Sequence, residues 1–126
     1  MAYEVHGHGA ISRIAGAAIV AGQPVRPDPA VDHQVLPAAD ATVEPIGVAL
    51  QDAAIGKDVT VHLPGNIVRA RANGAIANGA NVSAVAASTR LVTSPALAGT
   101  FRVGIAQGAA VAGDVFSVLV HPEKIA

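Results

Sequence analysis

The sequence predicts an all-β protein, a compact β-barrel or sandwich of about 8–9 short strands with a flexible N-terminal arm. No run of 11 or more residues keeps an apolar stripe at helical spacing. Apolar and polar residues instead alternate with a period of two, as in Val59–Leu63 and Val68–Ala72. The 13 glycines and 8 prolines interrupt these runs at short intervals, which is typical of sandwiches and barrels.

Each apolar run between these turn residues predicts one strand. In chain order, the predicted strands are 11–15, 17–20, 43–50, 58–63, 66–72, 80–86, 89–93, 101–107 and 114–120. In the strand at 66–72, the alternation predicts that Arg69 and Arg71 share the face that points away from the core. Pro64 followed by Gly65 suits a type II turn, so the strands on either side are expected to form a hairpin.

Two segments depart from the strand pattern. Residues 1–10 form the predicted flexible N-terminal arm, because Gly7 and Gly9 loosen the backbone there. Residues 11–126 form a single β domain. Within that domain, residues 23–45 carry five prolines and are expected to form a long ordered loop rather than the centre of a sheet.

One sequence motif, composed of small residues, glycine and β-branched residues, occurs four times. The segments are 16–25, 52–61, 74–82 and 108–118. The second and fourth follow similar strands, "IGVALQDAA" at 46–54 and "VGIAQGAA" at 103–110. This repeat of about 57 residues indicates two similar halves. Its glycines suit tight turns, whereas a phosphate-binding loop would need a Gly-Lys-Ser/Thr ending and a following helix.

Composition excludes several function classes. The chain has no cysteine, a net charge of −1 and 2 % aromatic residues, which argues against thiolate metal sites and nucleic-acid binding. The longest apolar run is too short to span a membrane, and the first residues lack the basic region of a signal peptide. Hydrophobic residues reach 52 % while charged residues make up only 13 %. Either alanine lines a surface that needs little polarity, or the free protein exposes apolar surface that a partner covers, and we favour the second explanation.

The motifs at Gly47–Val61, Gly74–Val82 and Gly104–Val118 resemble those of the capsid cement, or head decoration, proteins of tailed bacteriophages. The resemblance extends over about residues 11–122. It implies a β-barrel or sandwich that binds the major capsid protein on the outside of the assembled shell, commonly as a homotrimer. It also implies residence in the virion and no catalytic residues or cofactors. Synthesis in the host cytoplasm is expected because the first residues lack the basic region of a signal peptide. The alternative is a small β-barrel binding or carrier-type module, with Lys57 as the candidate modified residue.

On the hypothesis that the chain is a cement protein, the contacts with the capsid are assigned to the arm, which would order on binding. The assigned residues are Ala2, Tyr3, Glu4, Val5, His6 and His8. Contacts between subunits are assigned to Arg69, Arg71 and His62. The pair His6 and His8 and the group Asp28, Asp32 and His33 contain metal-ligating residue types, but a solvated arm and a solvated loop explain them better.

Overall fold

The computed structural model describes residues 9–86 and 88–125, and this part of the chain contains strands and turns but no helix. It therefore offers no helix that could cross a membrane. The all-β prediction is confirmed. The ten strands are β1 (Ala10–Ala15), β2 (Pro24–Pro27), β3 (Gln34–Pro37), β4 (Gly47–Ala49), β5 (Asp58–His62), β6 (Ile67–Arg71), β7 (Asn81–Ala84), β8 (Leu91–Thr93), β9 (Phe101–Ala106) and β10 (Val115–Lys124).

The strands form two five-stranded units in succession along the chain. The first unit is a closed barrel in the order β1-β3-β2-β4-β5, in which β1 pairs with β5 to complete the circle. The second unit has the order β6-β10-β9-β7-β8. A parallel bridge between Ala72 and Leu91 links the two ends of this second sheet, in the way that the parallel pair β1-β3 closes the first.

The two units repeat the same backbone pattern, which confirms the predicted internal repeat. An isolated antiparallel bridge joins Ile19 to Ala53, and a second joins Ile76 to Ala110, each residue 57 positions after its counterpart. Hydrogen bonds in the turns repeat in the same way: the Gly56 amide donates to the Ala15 carbonyl, and the Gly113 amide donates to the Ala72 carbonyl. The structure thus shows that the first and third copies of the repeated motif, at 16–25 and 74–82, also correspond.

Each unit has a core of small and β-branched side chains. The first core contains Val25, Val35, Val59 and Val61, and the second contains Val82, Leu91, Val103 and Phe116. The alternation predicted for β5 and β6 is confirmed, because Val59, Val61, Val68 and Ala70 are buried while their neighbours along the strand are more exposed. Alanine is common because a barrel of five short strands has a narrow interior.

A glycine occupies the equivalent position in the middle of each unit, where two strands approach closely. A Cβ atom on Gly47 would lie 2.1 Å from the carbonyl oxygen of His62, and one on Gly104 would lie 2.0 Å from that of Leu119. Neither distance is compatible with a side chain. This close approach explains why the hydrophobic-Gly-hydrophobic-Ala motif recurs in the sequence.

The prediction that residues 23–45 form a loop is wrong. This segment contributes β2 and β3 to the wall of the first barrel, and the side chains of Val25 and Val35 are fully buried. The prolines are accommodated because they stand at strand ends: Pro24 begins β2, and Pro37 ends β3. At these positions a missing N–H group interrupts no ladder, and the Pro24 carbonyl still accepts a hydrogen bond from the Ala38 amide.

Three smaller predictions also need correction. The turn at Pro64–Gly65 does not close a hairpin, because β5 and β6 belong to different sheets; it connects the two units. Gly65 does have the positive φ, 101°, that a type II turn requires. The predicted strand at 17–20 is reduced to a single bridge at Ile19, and the strand predicted at 43–50 extends only from Gly47 to Ala49.

We predict that Gly104→Ala destabilises the fold by about 1–3 kcal/mol or more, because the added methyl group meets backbone rather than a movable side chain. Gly108→Ala is the matched control, since a Cβ there has no neighbour within 4 Å. Chemical unfolding of both variants measures the difference. Equal stabilities for the two variants would contradict the close approach seen at Gly104.

Candidate functional site

The two units are packed against each other through a junction that the repeat does not duplicate. Val48 of the first unit is fully buried and belongs to the hydrophobic core of the second. The turn at Gly22 lies against β6, so a Cβ on Gly22 would be 2.9 Å from the Arg69 carbonyl oxygen. The equivalent glycine of the second unit, Gly79, has open space around it. The junction therefore holds the halves in one arrangement and leaves the equivalent surface of the second half open.

A cleft of about 240 Å³ lies at this junction, and we call it the junction cleft. Its lining is mainly apolar and comes from both units: Ala21, Ala49, Leu50, His62, Ile67, Val68 and Arg69. Two large apolar side chains remain exposed in its walls, with Leu50 53 % exposed and Ile67 64 % exposed. Such side chains, grouped around one concave surface, are typical of a site that binds another polypeptide.

The structure brings together two of the three residues assigned to subunit contacts. His62 and Arg69 both line the junction cleft. Among the residues that the structure describes, the enclosed Nδ1 of His62 has no hydrogen-bond partner, and the exposed Arg69 side chain pairs with none. Arg71 lies further along β6, where its guanidinium donates to the Gly113 carbonyl at 2.9 Å. Only His62 and Arg69 therefore share a site.

The N-terminal residues enter the described part of the chain beside the same cleft. The Gly9 carbonyl accepts a hydrogen bond from the Leu63 amide at 2.6 Å, and Ala10 is the partner of His62 in the β1–β5 ladder. All six residues assigned to capsid contact, Ala2, Tyr3, Glu4, Val5, His6 and His8, lie outside the described residues. Because β1 already includes Ala10, the predicted arm of residues 1–10 extends too far into the domain by one residue at least.

The aspartates and histidine of the 28–33 segment line a separate depression of about 250 Å³ that also contains Arg13 and Gln34. The Asp28 carboxylate accepts hydrogen bonds from the Ala30 amide and the Gln34 side chain, each at 2.8 Å. Both hydrogen bonds lower the pKa of Asp28 below its ordinary value of 3.8, and the bond from the Ala30 amide has the larger effect. The described residues contain no group of three or more His, Cys, Asp or Glu side chains placed to hold a metal ion. The carboxylate thus serves to shape the turn between β2 and β3.

A hydrogen-bonded cluster around Arg102 was not found by sequence reasoning. Its guanidinium donates to Asn81 at 3.0 Å and to the His121 carbonyl at 3.1 Å, and forms an ion pair with Glu123 at 3.2 Å. These partners come from β7 and from β10, where His121 lies in a bulge and Glu123 resumes the pairing with β9. Because strand register brings together residues that are far apart in the sequence, no local motif indicates this cluster. It connects β7, β9 and β10 within the second unit.

Comparison with known proteins gives the family. The phage cement protein family model matches residues 4–122, which is nearly the whole chain. The protein belongs to the phage cement protein family. The match confirms the resemblance predicted from the sequence. Members of this family are structural rather than enzymatic proteins. The match gives no support to the carrier-type alternative.

A solved structure shows the same fold. The N-terminal base of the head fibre protein gp8.5 of bacteriophage phi29 has a TM-score of 0.68 to this cement protein. The similarity covers 93 % of this chain and 97 % of that one, at 19 % sequence identity. Among curated proteins, no sequence matches. The two-unit β architecture is therefore shared with a head-associated phage protein.

We predict a pH-dependent effect of Asp28→Asn on stability. Because the pKa of Asp28 is lowered in the folded state, its contribution is complete above 3.8 and is lost as the pH falls through the lowered value. Asp28→Asn should therefore lower the melting temperature near neutral pH, and the difference from the wild type should shrink well below pH 3.8. Asp32→Asn removes the same charge from the same segment and is the control. A difference that persists unchanged in acid would contradict the assignment.

Proposed function

We propose that this cement protein binds the outer surface of the assembled phage capsid, where it contacts the major capsid protein and stabilises the shell. It acts as a homotrimer, and its N-terminal residues make part of the capsid contact. The chain is made in the host cytoplasm and becomes part of the virion. No cofactor or catalytic step is involved, because the function is binding alone.

The observation that carries this proposal is the family match over residues 4–122. The match begins inside the N-terminal arm, so Glu4, Val5, His6 and His8 belong to the family's common domain. The fold supports the same conclusion, since the similar phi29 protein is described as the base of a head fibre. A protein of that kind and a cement protein are both components of a phage head.

The composition fits a protein that binds a larger partner through exposed apolar side chains. Exposed apolar side chains occur at widely separated places, including Leu50, Ile55, Leu97 and Val111. A trimer presents three copies of each such site to the capsid lattice. Weak contacts then combine, because each contact raises the effective concentration of the next. Stabilisation of the shell follows from one trimer bridging several capsid subunits.

We predict that the purified protein co-sediments with mature, expanded capsids and that deletion of residues 1–8 weakens binding by at least about tenfold, or ~1.4 kcal/mol. The deletion stops at residue 8 because Gly9 and Ala10 hold β1 against the chain at Leu63 and His62. Titration of capsids followed by sedimentation measures both affinities.

A variant in which residues 2–8 are rearranged at constant composition controls for length and charge. It should bind as weakly as the deletion. Failure of the wild type to bind either expanded or unexpanded capsids would refute the proposed function. Unchanged binding by the deletion would refute only the role of the N-terminal residues.

We predict that the native particle has three times the chain mass of 12.5 kDa. The double substitution Arg69→Glu and Arg71→Glu should shift the trimer towards monomers, because it reverses two exposed charges on the face assigned to subunit contacts. Lys57→Glu with Lys124→Glu makes the same change in charge at exposed positions outside that face. Native mass spectrometry over a dilution series reports the result. Equal dissociation of both double variants would refute the assignment of the β6 arginines.

A further inference from the structure

We propose that the junction cleft is the docking site for the chain's own N-terminal octapeptide, residues 1–8, in the protein before it meets a capsid. The cleft would then hold the same residues that the proposed function assigns to the capsid, and capsid binding would draw them out. The docking itself does not depend on the capsid. It can therefore be tested on the isolated protein.

The junction cleft leaves a large apolar surface uncovered. Leu50 is 53 % exposed and Ile67 is 64 % exposed, although they flank the buried Val68 and Ala49. The octapeptide supplies Tyr3, the only tyrosine of the chain, and Val5. Covering apolar side chains with an apolar segment is favourable by roughly 25 cal/mol for each Å² removed from water.

The octapeptide is long enough to reach the cleft from the point where it joins β1. Ala10 pairs with His62, which lines the cleft, and neighbouring strands lie about 5 Å apart. The four residue steps from Gly9 back to Val5 span at most about 14 Å. The octapeptide can therefore enter the cleft of its own chain without unfolding any strand. A tether of this length gives a local concentration of about millimolar or higher, which favours the chain's own segment over one from a second copy.

Charge and hydrogen bonding also favour docking of the octapeptide in the cleft. The octapeptide carries one acidic residue, Glu4, and the rim of the cleft carries Arg69, which pairs with none of the described residues. The enclosed Nδ1 of His62 also has no partner among them. This atom is closed off from solvent, so a docked segment bonds to it only if the His62 ring turns into the cleft. The hydrogen bond gained by that movement would stabilise the docked state, because an enclosed polar atom without a partner is unfavourable.

The chain contains no cysteine, so a pair of introduced cysteines reports the position of the octapeptide directly. One cysteine replaces Val5 and the other replaces Leu50 in the cleft. The control pair is Val5→Cys with Ser12→Cys. Ser12 is exposed and three residues from Gly9 along the chain, within reach of Val5 but outside the cleft. Both pairs are oxidised under the same conditions without capsids, and the disulfide is followed by mass spectrometry.

We expect the Val5–Leu50 pair to form an intramolecular disulfide at least about ten times faster than the control pair. Equal rates would overturn the proposal, because a segment that does not dock samples both positions. A disulfide between two chains at Leu50 would also overturn it, since the occupant would then be a second copy. Neither result bears on capsid co-sedimentation, so failure here and failure of the proposed function are distinguishable.

A charge exchange tests the role of Arg69 in the same assay. Glu4→Arg or Arg69→Glu alone should slow formation of the Val5–Leu50 disulfide severalfold, and the two together should restore the rate. Lys57→Glu serves as the charge control. If both single variants oxidise at the original rate, Arg69 does not hold the octapeptide, and the charge argument for docking is refuted.

Discussion

The close packing of backbone against backbone at Gly47 and Gly104 is the constraint on which the rest of the structure depends. At both positions a side chain would collide with the carbonyl oxygen of the neighbouring strand. Only glycine allows β4 to lie against β5, and β9 against β10, closely enough for five short strands to enclose a core. The narrow interior then accepts alanine and valine and excludes most larger residues. The abundance of alanine and valine in the core thus follows from the small size of the two five-stranded units.

The junction between the two units makes the first half of the repeat different from the second. Gly22 packs on β6, while its counterpart Gly79 contacts nothing within 4 Å, so two similar units acquire different surroundings. The first unit supplies Val48 to the core of the second, and the Phe101 amide donates to the Ala41 carbonyl across the same boundary. The cleft beside this boundary combines exposed apolar walls with His62 and Arg69. Function is therefore expected at this boundary, because the described residues there present an apolar cleft that the repeat does not duplicate.

The sequence allowed prediction of the fold class, the repeat and the family, because each depends on local pattern. Alternation identified β5 and β6, and the spacing of the glycine motifs identified two halves. The strands in residues 23–45 were missed because five prolines outweighed the short apolar runs around Val25 and Val35, and only the structure shows these prolines at strand ends and in the intervening turns. The junction cleft could not be predicted, since it depends on how β4 and β6 meet in space. His62 and Arg69 were selected from sequence, but nothing there indicated that they share a site.

The central claim is that the protein decorates the outside of the capsid. An electron cryomicroscopy reconstruction of mature capsids saturated with the protein tests it most directly. The account predicts trimeric density on the outer surface, in which both five-stranded units of each chain can be placed and density from the N-terminal residues extends to the major capsid protein. Capsids without added density, or with the protein confined to the interior of the shell, would contradict it.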